Sequence, residues 1–389
     1  MPITIAYLTQ GKVRLKMSGE APRTLESAYA TSIRDRSLRS KQRHAWKSEG
    51  DGFLSGGMLW GKGGGAPEGP APVLFTSLSR GMGPGQLVYS LASGTLSALC
   101  EAENLGADER RLWNDNKSQV QHINVCPRTG NLACSIVHKT GNANIGVMIK
   151  GEPGISPVTE GDSVDTAPHW VAGESRCIVY QSAGVGRNRD GLFLALGPFG
   201  IHIVNIDSAE METLAEDEQV DFLAPQMAAD GALYYIRRPY NEHARVRPLR
   251  ALKDTVLLPF RLLFALMGFL NFFSMRYSGK KLSTPAGTPR RDVDMKQMMI
   301  WGNLIQAEQS AEDEGADMVP SSWQLARRSP DGNEEVLAHG VLAYDLASDG
   351  TIVYSNGNAI FVRHPDGRKE QVVKERLIEQ VTVMGTATA

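Results

Sequence analysis

The sequence predicts an all-β chain, a six-bladed β-propeller with an α-helical, apolar and basic insertion in its fifth blade. Three observations carry that expectation. A strand, turn and strand unit recurs, the distance between copies is close to one blade, and an orphan strand stands at the C-terminus opposite a blade that is one strand short at the N-terminus.

The recurring unit is clearest in VDTAPHWVAGESRCIVY, Val164 to Tyr180, with its turn at Gly173. Set on the turn glycine, three other stretches match it: QHINVCPRTGNLACSIV at Gly130, DFLAPQMAADGALYYIR at Gly231 and LAYDLASDGTIVYSNG at Gly350. Glycine carries no Cβ penalty at positive φ, so Thr129-Gly130, Asp230-Gly231 and Asp349-Gly350 suit a two-residue hairpin. The residues after the turns, such as Ile178-Val179-Tyr180 and Ile352-Val353-Tyr354, are β-branched and aromatic and fit a packed, pleated surface. The turn glycines lie 43, 58 and 119 residues apart. A four-stranded propeller blade takes roughly 40 to 50 residues, so the last interval holds more than one blade.

These residues resemble the TolB-type six-bladed propeller repeat, an Asp-x-x-Pro-x-Trp/Phe-Ser-Pro-Asp-Gly run before an apolar strand. Pro168 and Pro225 stand at the family's proline, and Asp230-Gly231 and Asp349-Gly350 match its turn. The Ser-Pro pair is missing from all four copies. The resemblance implies a propeller and leaves the subfamily open.

Composition is that of an ordinary globular chain: 389 residues, 42% hydrophobic and 22% charged, with 40 glycines and 20 prolines in keeping with a turn-rich β protein. The N-terminal MPITIAYLTQGKVRLKM lacks the basic lead, apolar core and small-residue cleavage site of a signal peptide and reads as a first strand. Cys100, Cys126, Cys134 and Cys177 sit in apolar strands without C-x-x-C spacing, which points to free thiols in a reducing cytoplasm. The eight histidines show no H-E-x-x-H and no close pair, so no metal and no cofactor is expected.

In order along the chain, Ile3–Leu8 and Lys12–Met17 form a hairpin, with Arg23–Ile33 as a third strand; the C-terminal Leu377–Met384 completes their blade, so that residues 1–389 form a single propeller closed by both termini. Arg34–Lys47 is basic and reads as a solvated loop; with no interleaved aromatic side chains it gives little support to nucleic-acid binding. Gly61–Gly65 lacks the spacing of a phosphate loop and reads as linker. Val73–Leu78, Gln86–Leu91 and Thr95–Glu101 supply a second blade, 120–160 a third and 164–214 a fourth. The fifth opens at Val220–Arg237, is interrupted, and resumes with Met298–Ile305 and the SSWQLARRSPDG and NEEVLAHG stretches; the sixth runs from Val341 to Val373.

The interruption, 245–291, changes period. VLLPFRLLFALMGFLNFF, Val256–Phe273, reads as helix, with Pro259 starting or kinking it. Ten Lys or Arg and one acid, Asp254, give this stretch a charge of +9 in a chain of net −2. Arg250, Lys253, Arg261 and Arg276 supply cations, and Leu262, Phe264, Phe269 and Phe273 supply apolar area. That combination suits a partner protein or the propeller itself, or an anionic membrane surface, where the apolar face is buried and each surface cation adds about 1 kcal/mol. Pro259, Arg261 and Asn271 argue against a spanning helix.

Two function classes follow. One is a non-catalytic scaffold that docks protein partners through its loops and its insertion, cytoplasmic and, on the membrane reading, peripheral to the inner face of a membrane. The alternative is a channel-mouth hydrolase, possible metal assistance included, using Asp165, His169 and Asp221; innermost strands also offer His122, Asn124, Gln226 and Asp345. Asp165 and Asp221 occupy equivalent repeat positions, where an aspartate equally well ties one blade to its neighbour's backbone. There is no G-x-S-x-G nucleophile elbow.

Overall fold

The computed structural model describes residues 3–49, 72–240 apart from 107, 139, 175 and 190–192, the pairs 299–300 and 303–304, and 318–386. The chain falls into two compact units, one of Met1–Leu38, Ala71–Tyr240 and Gln297–Ala389 and a second of Arg39–Pro70 and Asn241–Lys296. The sheets below belong to the first unit. The predicted helical insertion, 245–291, with Arg250, Lys253, Arg261, Leu262, Phe264, Phe269, Phe273 and Arg276, lies outside the described residues.

The chain opens with β1 (Ile3–Thr9), β2 (Lys12–Lys16) and the two-residue β3 (Arg23–Thr24), then enters helix α1 (Ala28–Glu49). The expected strand Arg23–Ile33 and loop Arg34–Lys47 are therefore corrected: almost all of that stretch is helix. The cause is a capped N-terminus. Ser27 Oγ accepts the Ala30 N–H at 3.0 Å, and Glu109 Oε2 accepts the Tyr29 N–H at 3.2 Å, placing an acceptor and a negative charge where free N–H groups collect. Tyr29, Ala30 and Ile33, at helical spacing, pack onto the core.

Next come β4 (Leu74–Arg80), β5 (Leu87–Ser93), β6 (Leu96–Glu103) and β7 (Asp108–Asp115), an antiparallel sheet in chain order. β8 (Gln119–Val125), β9 (Leu132–Val137), β10 (Ala143–Met148) and β11 (Ser156–Pro157) follow. A parallel bridge, Ala143↔Val164, joins them to β12 (Ser163–Trp170) and β13 (Cys177–Arg187), with β14 (Phe193–Leu196), β15 (Gly200–Asn205) and β16 (Met211–Ala215) beyond.

β17 (Val220–Met227) and β18 (Leu233–Pro239) precede a separate hairpin, β19 (Met299–Ile300) with β20 (Asn303–Leu304). Of the predicted strand Met298–Ile305, the described residues pair with each other, and the sheet of β17 and β18 takes β21 (Gln324–Arg328) and β22 (Glu334–His339) instead. β23 (Ala343–Leu346), β24 (Ile352–Ser355), β25 (Ala359–Arg363) and β26 (Lys369–Lys374) form the last sheet, and β27 (Ile378–Thr386) pairs antiparallel with β1 from Ile3↔Thr386 to Thr9↔Ile378.

Buried apolar side chains of the described residues gather between consecutive sheets. Val88 and Leu99 meet Val120 and Leu132; Ala133 and Ile145 meet Trp170 and Tyr180; Ile201 meets Leu233 and Tyr235; Leu223 and Leu325 meet Tyr344 and Tyr354. The series runs on from the last sheet to the first, since Val353 and Val362 pack on Ile5, Tyr7 and Val381, while Leu8 and Val13 pack on Leu78 and Tyr89. Sheets stacked face to face in succession, with twisted antiparallel strands, make an all-β propeller.

The repeat's glycines sit at φ values of 75, 84, 78 and 83° at Gly130, Gly173, Gly231 and Gly350. They close wider loops than the expected two-residue hairpins: the Gly231 N–H donates to the Ala228 carbonyl and the Ala228 N–H to that of Ala232. A second repeated feature lies just upstream. β8, β12 and β17 each carry a bulge, with His122, Ala167 and Ala224 at φ values of 48, 50 and 51°. A bulge takes a residue out of the ladder, and its neighbours' N–H groups need acceptors elsewhere. Strands earlier in the chain supply them: Ser77 Oγ takes the Ile123 N–H at 2.9 Å, Asn124 Oδ1 the Trp170 N–H at 2.9 Å, and Gln181 Oε1 the Ala224 N–H at 2.6 Å.

Candidate functional site

Asp165 lies on β12 and is almost fully buried. Its Oδ1 accepts from Ser182 Oγ at 2.7 Å and its Oδ2 from Thr159 Oγ1 at 2.5 Å, while its carbonyl accepts from Ser135 Oγ at 2.8 Å. Asp221, on β17, accepts the Phe199 N–H at 2.9 Å with Oδ1 and faces Arg238 Nε at 2.8 Å with Oδ2. The Arg238 guanidinium in turn lies 4.6 Å from the ring centroid of Trp323. Both carboxylates are thus engaged by protein donors that join strands of one sheet or of neighbouring sheets.

His169 stands at the end of β12 and turns its Nδ1–H to the Trp170 carbonyl at 2.9 Å. Burial pushes its pKa down to about 4, and the Arg80 guanidinium pushes the same way. The ring is therefore neutral at physiological pH, with Nε2 left as an acceptor. No hydrogen bond or ion pair links Asp165, His169 and Asp221 to one another among the described residues. Nor do three or more His, Cys, Asp or Glu among the described residues converge as a metal-ligand set.

What the inner strands do bring together is a different group. Asp345, on β23, accepts the Val383 N–H at 2.7 Å through Oδ2. Burial raises its pKa to about 6, against the pull of that N–H, of Arg80 and of the Gln226 amide. Gln226, at the end of β17, donates through Nε2 to the Tyr344 carbonyl at 3.3 Å. Arg80, at the end of β4, acts electrostatically on His169 of β12 and on Asp345 of β23 alike. Asn124 belongs to the scaffold rather than to this group, since its side chain holds Trp170, and the His122 ring is held neutral by burial, its pKa near 4.

Arg80, His122, His169 and Asp345 are crowded by protein yet each keeps part of its surface open to solvent. Sequence reasoning missed Arg80, because LFTSLSR shows only the strand alternation and nothing sets its last residue apart.

Glu379, on β27, was missed for the same reason; burial raises its carboxyl to about 7. A carboxyl with a raised folded pKa contributes stability that is complete below its unfolded value, near 4.5, and is lost as pH rises through about 7. Glu379→Gln is therefore expected to match the parent at pH 4 and to exceed it at pH 8 by on the order of 1 kcal/mol after allowance for solvent screening. Urea denaturation at the two pH values measures this, and equal effects at both would refute it.

No family model matches the chain, and no curated protein matches it in sequence. Among solved structures it is similar to TolB from Acinetobacter baumannii, with a TM-score of 0.51 at 10% identity over 98% of this chain and 66% of that one. A chain of the nidogen–laminin complex gives a TM-score of 0.51 at 7% identity over 98% of both chains. The tricorn protease aligns over 98% of this chain and 34% of its own at 11% identity and a TM-score of 0.47, which says nothing about peptidase chemistry here. The first two likenesses show the propeller fold and, at these identities, nothing of activity.

Proposed function

We propose that the chain is a six-bladed, TolB-like propeller closed by both termini, and that it serves as a non-catalytic scaffold docking a protein partner through its loops and through 245–291. The observation that carries this reading is the state of Asp165 and Asp221, whose carboxylates are spent on Ser182, Thr159, the Phe199 N–H and Arg238. A general acid, base or metal ligand needs a lone pair directed at substrate or metal, and here the buried lone pairs go to the fold. Free thiols at Cys100, Cys126, Cys134 and Cys177 favour a cytoplasmic setting.

The segment 245–291 is a good place for a docking element. Its sequence carries +9 in a chain of −2, so it attracts acidic partners over a distance set by salt. The chain leaves the fifth sheet after β18 and returns at β21, and these strands pair directly, Arg237 with Gln324. Replacing 245–291 by a short Gly/Ser linker is expected to leave the melting temperature within a few degrees and to abolish capture of the partner. Recovery of the same acidic protein by wild type and by the replacement variant would refute the docking role. Sedimentation with vesicles of phosphatidylserine and phosphatidylcholine settles the source of attraction: salt-sensitive binding lost with the segment moves the assignment from protein to membrane. A replacement variant that does not fold assigns the segment to the core.

A further inference from the structure

Met82 and Met211 are the exposed methionines among the described residues whose side chains are placed, and the others there are buried or half-buried. Three loops meet at the Met82 sulfur. Met82 lies on the loop between β4 and β5, and Lys150, on the loop after β10, donates an Nζ–H to its Sδ at 3.1 Å. Beneath the pair is Gly130, on the loop between β8 and β9. A Cβ added there would come within 2.5 Å of Met82 Sδ and 2.6 Å of Lys150 Cδ, so both side chains rest on bare glycine backbone. The Lys150 backbone N–H donates to Asn131 Oδ1 at 3.1 Å, which fixes the lysine's loop to the same turn.

A thioether is a weak acceptor, and an ammonium group carries three N–H donors, so Lys150 keeps donors to spare beside the sulfur. Oxidation of a thioether by a peroxide has two needs. The sulfur lone pair must reach the near oxygen, and a proton must reach the far oxygen as the O–O bond breaks. Met82, 42% exposed, meets the first need, and the Lys150 ammonium 3.1 Å from the sulfur meets the second.

We propose that Met82 is a site of oxidation by hydrogen peroxide, with Lys150 assisting the oxygen transfer and holding the product. The sulfur lone pair forms the S–O bond while the O–O bond breaks. The leaving oxygen keeps the bonding electron pair, takes a proton from Lys150 and departs as water. The proton left on the sulfur-bound oxygen then returns to the lysine amine. The thioether is thereby oxidised to the sulfoxide by two electrons and the peroxide is reduced to water. A sulfoxide oxygen accepts hydrogen bonds far better than the thioether it replaces, so the tie between the two loops strengthens. Ile149, next in the chain to Lys150, is exposed as well, and oxidation makes this apolar surface more polar. Neither Met82 nor Lys150 belongs to 245–291, so the assignment holds whatever that segment binds.

The test treats the full chain with hydrogen peroxide and follows sulfoxide formation at each methionine by peptide mass spectrometry. Met211 is the internal reference: it is 63% exposed, and its sulfur accepts from the neutral Tyr180 hydroxyl at 2.7 Å. On exposure alone Met211 reacts first. With Lys150 assisting, Met82 is expected to react at least about threefold faster than Met211. Lys150→Gln is expected to slow Met82 by about threefold or more, while Lys150→Arg, which keeps the charge and the donors, restores part of the rate. An unchanged Met211 rate in both variants reports that the fold is intact. Faster oxidation of Met211 than of Met82 in the parent would overturn the proposal. So would a Met82 rate that is unchanged or raised in Lys150→Gln, since the lysine would then merely cover the sulfur.

Discussion

A chain cut after Glu375 is expected to lose cooperative folding outright. The missing strand, β27, pairs with β1 along its length, with Ile3 opposite Thr386 and Thr9 opposite Ile378. It buries Ile378, Val381 and Val383 among Ile5, Tyr7, Val353 and Val362, and Met384 between the first two sheets. At about 1.5 to 3 kcal/mol for each buried aliphatic side chain, those four contribute roughly 6 to 12 kcal/mol, comparable with the roughly 5 to 15 kcal/mol that holds a whole domain. Gln380 adds a clasp on the next sheet, accepting the Leu78 N–H at 3.1 Å and donating to its carbonyl at 2.7 Å. The truncated chain should show no sigmoidal melt by circular dichroism, and adding a peptide of residues 376–389 should restore part of it. A melt within a few degrees of the parent would mean that β27 does not hold the fold together.

The repeat made most of this fold legible. Short-range signals, glycine turns followed by β-branched runs, fix β8 with β9, β12 with β13, β17 with β18 and β23 with β24, because each is a local hairpin whose register the turn sets. The outer strands were harder. β7, DERRLWND, is polar on both faces, as an exposed edge strand is free to be, and carries no alternation to detect. Helix α1 was misread because Tyr29, Thr31 and Ile33 alternate as in a strand, while the acceptor that stabilises its first turn, Glu109, stands 80 residues away from Tyr29. The same limit applies to the inner cluster. Asp165 and Asp221 were recognisable as equivalent repeat positions, but whether a carboxylate is spent or available depends on Ser182, Thr159, Phe199 and Arg238, which only the fold brings near. Arg80 and Asp345 lie 265 residues apart and nothing local to either announces the other.

Asp221→Ala is expected to destabilise the protein by about 3 to 5 kcal/mol, the usual loss when one member of a buried ion pair is removed. Asp221 and Arg238 have side chains 5% and 4% exposed, so water cannot replace the lost partner cheaply. The carboxylate also holds the Phe199 N–H, whose own carbonyl accepts from Phe222 N–H, so a second buried donor loses its acceptor. Asp221→Asn keeps an oxygen for Phe199 and should cost less than Asp221→Ala. Pairing Asp221→Ala with Arg238→Met, which removes both charges and leaves an apolar side chain on Trp323, should recover part of the loss. Asp165→Ala should cost about 1 to 3 kcal/mol, because Thr159 and Ser182 lose the acceptor they share. Urea denaturation of the four variants distinguishes the two roles an aspartate could have at these positions. Carboxylates kept for chemistry are commonly replaced at little cost in stability, whereas these are expected to fail as structural ties. Parental stability in both Asp165→Ala and Asp221→Ala would return the two residues to the catalytic reading.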